Sequence, residues 1–275
     1  MAISRAQLSK ELEPGLNALF GMEYNRYENQ HAEIYTTESS DRAFEEEVML
    51  SGFGAAPTKF EGSAVSFDDA VEAFTARYNH ETIALAFSIT EEAVEDNLYD
   101  RLSSRYTRAL ARSMAHTKQV KAAAVLNNAF DSTVTGGDGK ELCATDHPLT
   151  NGGTLRNEPS TAADLNETSL ENALIDIAGY TDERGLKVAM RGMKLIIPRQ
   201  LQFVADRLMS STLRPGTADN DVNAHQNMGM LPSGYAVNDF LTDTDAFFVM
   251  TDAPRGFLHF ERTPLSTNME ADFDT

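Results

Sequence analysis

Apolar positions along this chain switch between two spacings, and the switches mark its parts. Leu8, Leu12, Leu16 and Phe20 recur every four residues and predict a short amphipathic helix, with Pro14 and Gly15 as its expected kink or break. Residues 31–78 lose that period and read as extended. Within them Glu45, Glu46 and Glu47 precede Val48, Met49 and Leu50, and the turn-rich run Ser51-Gly52-Phe53-Gly54-Ala55-Ala56-Pro57 follows. A second extended run goes from Lys59 to Phe67, so the pattern predicts a hairpin about a Gly/Pro tip. Strands this acidic have too little apolar surface to fold on a core of their own, so the hairpin is expected to project. The plainer reading is an ordinary surface loop. Ile83, Leu85, Phe87 and Ile89 then alternate with small residues, the period-two pattern of a strand with one bulky face.

Between Gly62 and Gly136 the chain has neither Gly nor Pro, although it holds 17 glycines and nine prolines elsewhere. Val94, Leu98, Leu102, Tyr106, Leu110 and Met114 recur every four residues in that stretch and predict one long helix over about 90–129. At 1.5 Å per residue its length would be ~60 Å. Ser88 with Glu91 has capping-box spacing, and Thr90 is a competing N-cap. Acids fill the first turns and bases follow, in the order that complements the helix dipole. Arg101 and Arg105, and Arg108 and Arg112, are like-charged pairs four apart, so the helix gains little from ion pairs of its own. Those four arginines are either a solvated face or a contact to the acidic arm or loop of a neighbouring chain.

The remainder is mixed. Residues 131–159 are loop-like, with Gly136-Gly137-Asp138-Gly139 and Asn151-Gly152-Gly153. Residues 169–178 read as a helix with Thr168 and Glu171 as capping box and Gly179 as stop. Lys194–Ile197 is a short buried strand and 200–209 a helix, while 214–227 is polar and irregular. Residues 235–241 and 246–250 read as strands joined by the turn Thr242-Asp243-Thr244-Asp245, and 257–262 as another strand.

Composition narrows the possible functions. Hydrophobic content of 41% supports a packed core, and no apolar run is long enough to span a bilayer. The polar start lacks a signal sequence, and the single cysteine, Cys143, has no partner for an internal disulfide, so a soluble protein of a reducing compartment is expected. A net charge of −19 opposes general binding to phosphate backbones.

Candidate chemistry is sparse. Gly136–Glu141 has the wrong spacing for a phosphate loop, and no Ser or Thr follows Lys140. Asp219, Asp221 and Asn223 begin like a calcium loop, but Ala224 and Met230 stand where Gly and Glu are required. Cys143 and His147 lack a second pair for zinc. Asp243, Asp245 and Asp252 with His259 are the one set that fits a hydrolase. No residue is assigned a catalytic, cofactor-binding or metal-binding role. An arm and a hairpin that bury little of themselves point to a self-assembling structural protein.

Six segments, in order, carry a resemblance: Gly52–Pro57, Phe87–Glu92, Thr145–Pro148, Leu213–Asp221, Leu241–Ala246 and Leu258–Leu265. Over roughly residues 5–275 the chain resembles tailed-phage major capsid proteins of the Hong Kong 97-like fold, particularly the Mu-like major head subunit group. The resemblance implies an α+β fold with an N-terminal arm (1–30), an extended loop (31–80), a peripheral domain (81–159) holding the spine helix, an axial domain (160–253) and a return to the peripheral domain (254–275). It implies an icosahedral shell of pentamers and hexamers around double-stranded DNA that is enclosed without sequence-specific binding, assembled in the host cytoplasm. Phe53, Pro57, Lys59, Arg101, Arg105, Arg108 and Arg112 are the expected inter-subunit contacts. No large acidic segment precedes the folded part, so a separate scaffolding protein and no cleaved pre-domain are expected, with a portal and a decoration protein as further partners. Relatives usually carry another strand-forming stretch beyond the position of Thr275. The same fold would also serve an encapsulin-type nanocompartment, and a soluble acidic hydrolase is the alternative from another class.

Overall fold

The computed structural model describes residues 5–90, 99–150, 152–214 and 221–268, with side chains from 15 onward in the first helix and from 103 onward in the long one. Helix α1 (Arg5–Tyr24) stays helical through Pro14 and Gly15, against the expected break. It packs along the long helix α2 (Tyr99–Asn127), and that tertiary contact overrides the hydrogen bond lost at proline. At 29 residues α2 is ~43 Å long. Its expected first turns, 91–98, lie outside the described residues, and the candidate caps Ser88 and Thr90 sit in irregular chain before them.

The face that α2 buries is offset from the predicted stripe. Ser103, Thr107, Ala111, Ala115, Gln119, Ala123 and Leu126 are buried, whereas Tyr106 of the expected stripe is 50% exposed. Small residues on the contact line allow α1 and the following chain to approach closely. Gln119 then fixes the segment after α1: its carbonyl accepts the His31 N–H (3.0 Å) and its amide donates to His31 Nδ1 (3.1 Å). One turn on, the Tyr35 hydroxyl donates to the Ala122 carbonyl (2.8 Å), and burial pushes this phenol up to about 12.

Strand β1 (Thr36–Ser39) pairs in parallel with β9 (Leu258–Glu261), the last strand described. Strands β2 (Phe44–Leu50) and β3 (Glu72–Asn79) form an antiparallel hairpin, with Glu46 opposite Arg77 and Val48 opposite Thr75. The second strand is therefore 72–79 and not the predicted Lys59–Phe67, and 51–71 is a long connection. Residues 81–90, expected as a strand, pair with no described segment. Ile83, Leu85 and Phe87 are exposed there, and Phe87 lies 5.8 Å from the Tyr106 ring: the alternation offers an apolar face that no described strand pairs with. A two-residue pair, β4 (His147–Pro148) with β5 (Thr154–Leu155), closes the loop after α2.

The core lies around β6 (Gly192–Pro198), the middle strand of a sheet ordered β7-β6-β8, with β7 (Tyr235–Asn238) parallel and β8 (Phe248–Thr251) antiparallel to it. The turn at 242–245 therefore does not join neighbouring strands, as the sequence implied; it carries the chain past β6. Leu195 and Ile197 join Leu165, Leu170, Leu174, Ala205 and Leu208 on one face. Ile196 points the other way, to Ile34 and Leu126. The period of two thus lets one strand anchor two apolar clusters, each buried large side chain contributing ~1.5–3 kcal/mol.

The first cluster is covered by α3 (Glu167–Gly179) and α4 (Gln202–Ser210). The α3 cap is Asn166 with Ser169, two residues earlier than the expected Thr168 and Glu171: the Asn166 side chain accepts from Ser169 N and the Ser169 hydroxyl from Asn166 N, both at 2.9 Å. A short helix α5 (Ala224–Met228) lies in the stretch expected to be irregular. Among the described residues no helix is long and apolar enough to cross a membrane.

Candidate functional site

The hairpin β2–β3 is exposed along most of its length, and its stabilisation comes from charge and aromatic pairs. Arg77 places its guanidinium 3.6 Å from the centre of the Phe44 ring and 3.6 Å from a Glu46 carboxylate oxygen across the strands. Such contacts are individually small at an exposed site. The body of the molecule holds the hairpin and its connection in four places. Arg255, from the chain between β8 and β9, pairs with Glu47, and Tyr78 packs near Phe260. Gly137 lies directly against the β3 backbone at Thr75. Arg184 reaches the beginning and end of the 51–71 connection.

Beyond that root the connection presents apolar side chains to solvent. Phe60 is 75% and Phe67 96% exposed, and Phe53, Val65 and Val71 are also exposed. Pro57 and Lys59 lie fully on this surface. A monomer does not gain from displaying a phenylalanine-rich loop; such a patch marks an interaction surface. The whole chain repeats the point. Its accessible surface is 18929 Å² for 30.2 kDa, whereas a compact monomer of this mass exposes about 11,700 Å². The excess of about 7,000 Å² exceeds what a single ordinary interface buries.

Arg105, Arg108 and Arg112 are exposed on α2 and form no ion pair with any described residue. The Arg101 side chain lies outside the described residues. An open crevice of about 540 Å³ runs between the end of α1 and this face, lined by Glu23, Tyr27, Arg108, Arg112 and His116 among others. The expected contact residues thus fall on two surfaces, the loop and the helix face. Sequence reading missed Arg184 and Gly137; nothing in their neighbourhood signals that they meet segments more than 60 residues earlier.

Asp219 lies outside the described residues; the other residues weighed for chemistry have structural roles. Asp243 and Asp245 hydrogen-bond within their own turn, which lowers Asp243 and raises Asp245. Asp252 accepts from the Arg191 backbone N–H, while His259 sits edge-on to His31 with rings 5.8 Å apart, so these four do not share one site. Asn223 is buried and ties Leu208 and Ser211 to the start of α5, and Gly136–Lys140 closes a backbone turn. His147 pairs with Asp138 at 2.6 Å, and burial pushes the Cys143 thiol up to about 12. Among the described residues no group of His, Cys, Asp and Glu is placed to hold a metal ion.

Comparison with known proteins agrees with a structural reading. The model of the phage capsid protein family matches residues 71–275. Among solved structures, the capsid of bacteriophage JBD30 aligns with a TM-score of 0.58 at 12% identity, covering 78% of this chain and 92% of that one. The JBD30 procapsid aligns with a TM-score of 0.57 at 15% identity, covering 87% of this chain and 100% of that one. The JBD30 capsid decorated with minor capsid protein trimers gives 0.55 at 14% identity over 76% and 89%. At such identities the likeness shows a shared mixed helix-and-sheet fold. No curated protein sequence matches this chain significantly.

Proposed function

This chain belongs to the phage capsid protein family and is a major capsid shell protein, and from that premise we propose that it builds the icosahedral head of a tailed virus. The observation that carries the proposal is the uncovered surface: a phenylalanine-bearing loop and about 7,000 Å² of excess area await neighbouring copies. In this reading the subunit has the Hong Kong 97-like fold of the Mu-like group. Residues 31–80 form the extended loop over a neighbour, α2 the spine of the peripheral domain, and 160–253 the axial domain of pentamers and hexamers.

Phe53, Pro57 and Lys59 meet the neighbour through the loop, and Arg101, Arg105, Arg108 and Arg112 receive its acidic segments. An acidic subunit, at −19, encloses double-stranded DNA without gripping it. A scaffolding protein, a portal and a decoration protein complete the assembly in the host cytoplasm.

The test is electron microscopy of the purified protein beside a variant lacking residues 55–66. The full chain should form closed shells or capsomers, and the variant a folded subunit without shells. Normal shells from the variant would contradict the role given to the loop.

A further inference from the structure

We propose that Arg184 is the positioning residue that clamps the root of the 51–71 loop to the body of the subunit and so sets the direction in which the loop meets its neighbour. The inference rests on the reading of that loop as an assembly element.

The clamp is built from a braced turn. Thr181 and Lys187 form a bridge, Gly185 turns with φ +81°, and the Asp182 carboxylate accepts from Arg184 N (2.9 Å) and Leu186 N (2.8 Å). Glu183, buried beside it, accepts from Thr150 N (2.8 Å) and the Thr150 hydroxyl (3.1 Å), which ties the turn to the β4–β5 segment. The Arg184 backbone is therefore held before its side chain reaches anything.

The guanidinium then bridges both limbs of the loop. Its Nε donates to the Gly52 carbonyl (3.1 Å), and its Nη2 donates to the Asp69 carbonyl (2.6 Å) and to Asp68 Oδ1 (3.3 Å). Asp68 in turn accepts from Gly54 N (2.7 Å), and Ser51 and Val71 exchange two hydrogen bonds (2.8 and 2.9 Å). Outgoing and returning strands are thus joined to each other and to one side chain from a distant turn. Between 55 and 67 the loop's only hydrogen bonds among the described residues are local, from Ser63 to Phe60. The loop is held at its root and uncommitted beyond it. A planar fork with several donors can satisfy three acceptors at once, whereas a lysine ammonium reaches fewer with less directional control.

The experiment compares wild type, Arg184→Ala, Arg184→Lys and Asp68→Ala in the full chain. Limited proteolysis within 51–71 reports the loop root, the denaturation midpoint reports the body, and sedimentation with microscopy reports shell yield. In R184A, cleavage in the loop should rise about tenfold and shell yield should fall by a similar factor, while the midpoint of the body changes little. R184K should be intermediate on both.

If R184A does not fold, D68A carries the test, because Asp68 is half exposed at 47% and lies on the loop. Wild-type cleavage in the folded variants overturns the clamp, and faster cleavage with normal shell yield overturns its positioning role. The deletion of 55–66 leaves the clamp intact, so normal shells there overturn the reading of the loop itself and not the clamp.

Discussion

Replacing Gly137 by alanine tests how the hairpin is seated on the subunit. An alanine Cβ at this position would lie 2.9 Å from the Thr75 carbonyl oxygen, 3.0 Å from its carbon and 3.1 Å from Ala76 N. Ordinary contact begins near 3.4 Å, so the two backbones must separate by about half an ångström. No flexible side chain can absorb this, because the opposing atoms belong to β3, which is fixed to β2 through Thr75–Val48 and Ala76–Glu47. Either the hairpin moves as a unit or the 131–140 loop deforms.

Overpacking of this kind costs ~1–3 kcal/mol, and the lower freedom of alanine in the unfolded chain offsets ~0.4–1 kcal/mol of that. A net loss of about 1–2 kcal/mol follows, a large share of a typical stability of ~5–15 kcal/mol. Gly136→Ala is the control, since its new Cβ would meet only the Asp138 side chain at 3.3 Å and Lys140 O at 3.6 Å. Chemical denaturation of the unassembled subunit measures the first effect, and shell yield measures the second. G137A should lose stability and assemble poorly, and G136A should resemble wild type. If the two variants match within about 0.5 kcal/mol and both assemble, the seating argument is wrong.

Two further outcomes are expected. His31 and His259 both titrate below the ordinary imidazole value, first because burial disfavours the charged ring and then because Lys118 lies close. The unfolded chain therefore binds protons near pH ~6.5 that the folded chain refuses, so their contribution is complete above that pH and is lost as pH falls below it towards the depressed folded values. Denaturation midpoints at pH 7.5 and 5.5 should differ less in His259→Gln than in wild type, and equal differences would contradict the assignment. Cys143, half-buried with its thiol raised to about 12, should resist alkylation at pH 8 until the protein is unfolded; rapid labelling of the native subunit would show that the loop around it opens.

Local rules served well where burial and period coincide. Lys194–Ile197 reads as a buried strand because its apolar run is short, stopped by Pro198, and covered on both faces in the fold. They failed where a partner decides. Ile83, Leu85, Phe87 and Ile89 have strand alternation, yet no described strand lies beside them, since alternation states which face is apolar and not what covers it. Nearness to the turn cluster points to Lys59–Phe67 as the return strand. The antiparallel register instead selects Glu72–Asn79, where Arg77 meets Glu46 and stacks over Phe44. On α2, hydrophobicity points to Tyr106, Leu110 and Met114, but the buried line is the adjacent one of Ser103, Thr107, Ala111 and Ala115.

What the sequence determined by itself is a set of parts: an N-terminal helix, an acidic first hairpin strand, a helix unbroken by Gly or Pro, and a buried strand, each following from a period or a stop residue within a few positions. Only the tertiary structure decided how they are joined. β6 separates β7 from β8, and Gly137 and Arg184 hold a hairpin far from them in sequence. The physical reason is range: periodicity reports the environment of a residue's own turn or strand, whereas a glycine's clearance or an arginine's acceptors depend on which distant backbone arrives beside it.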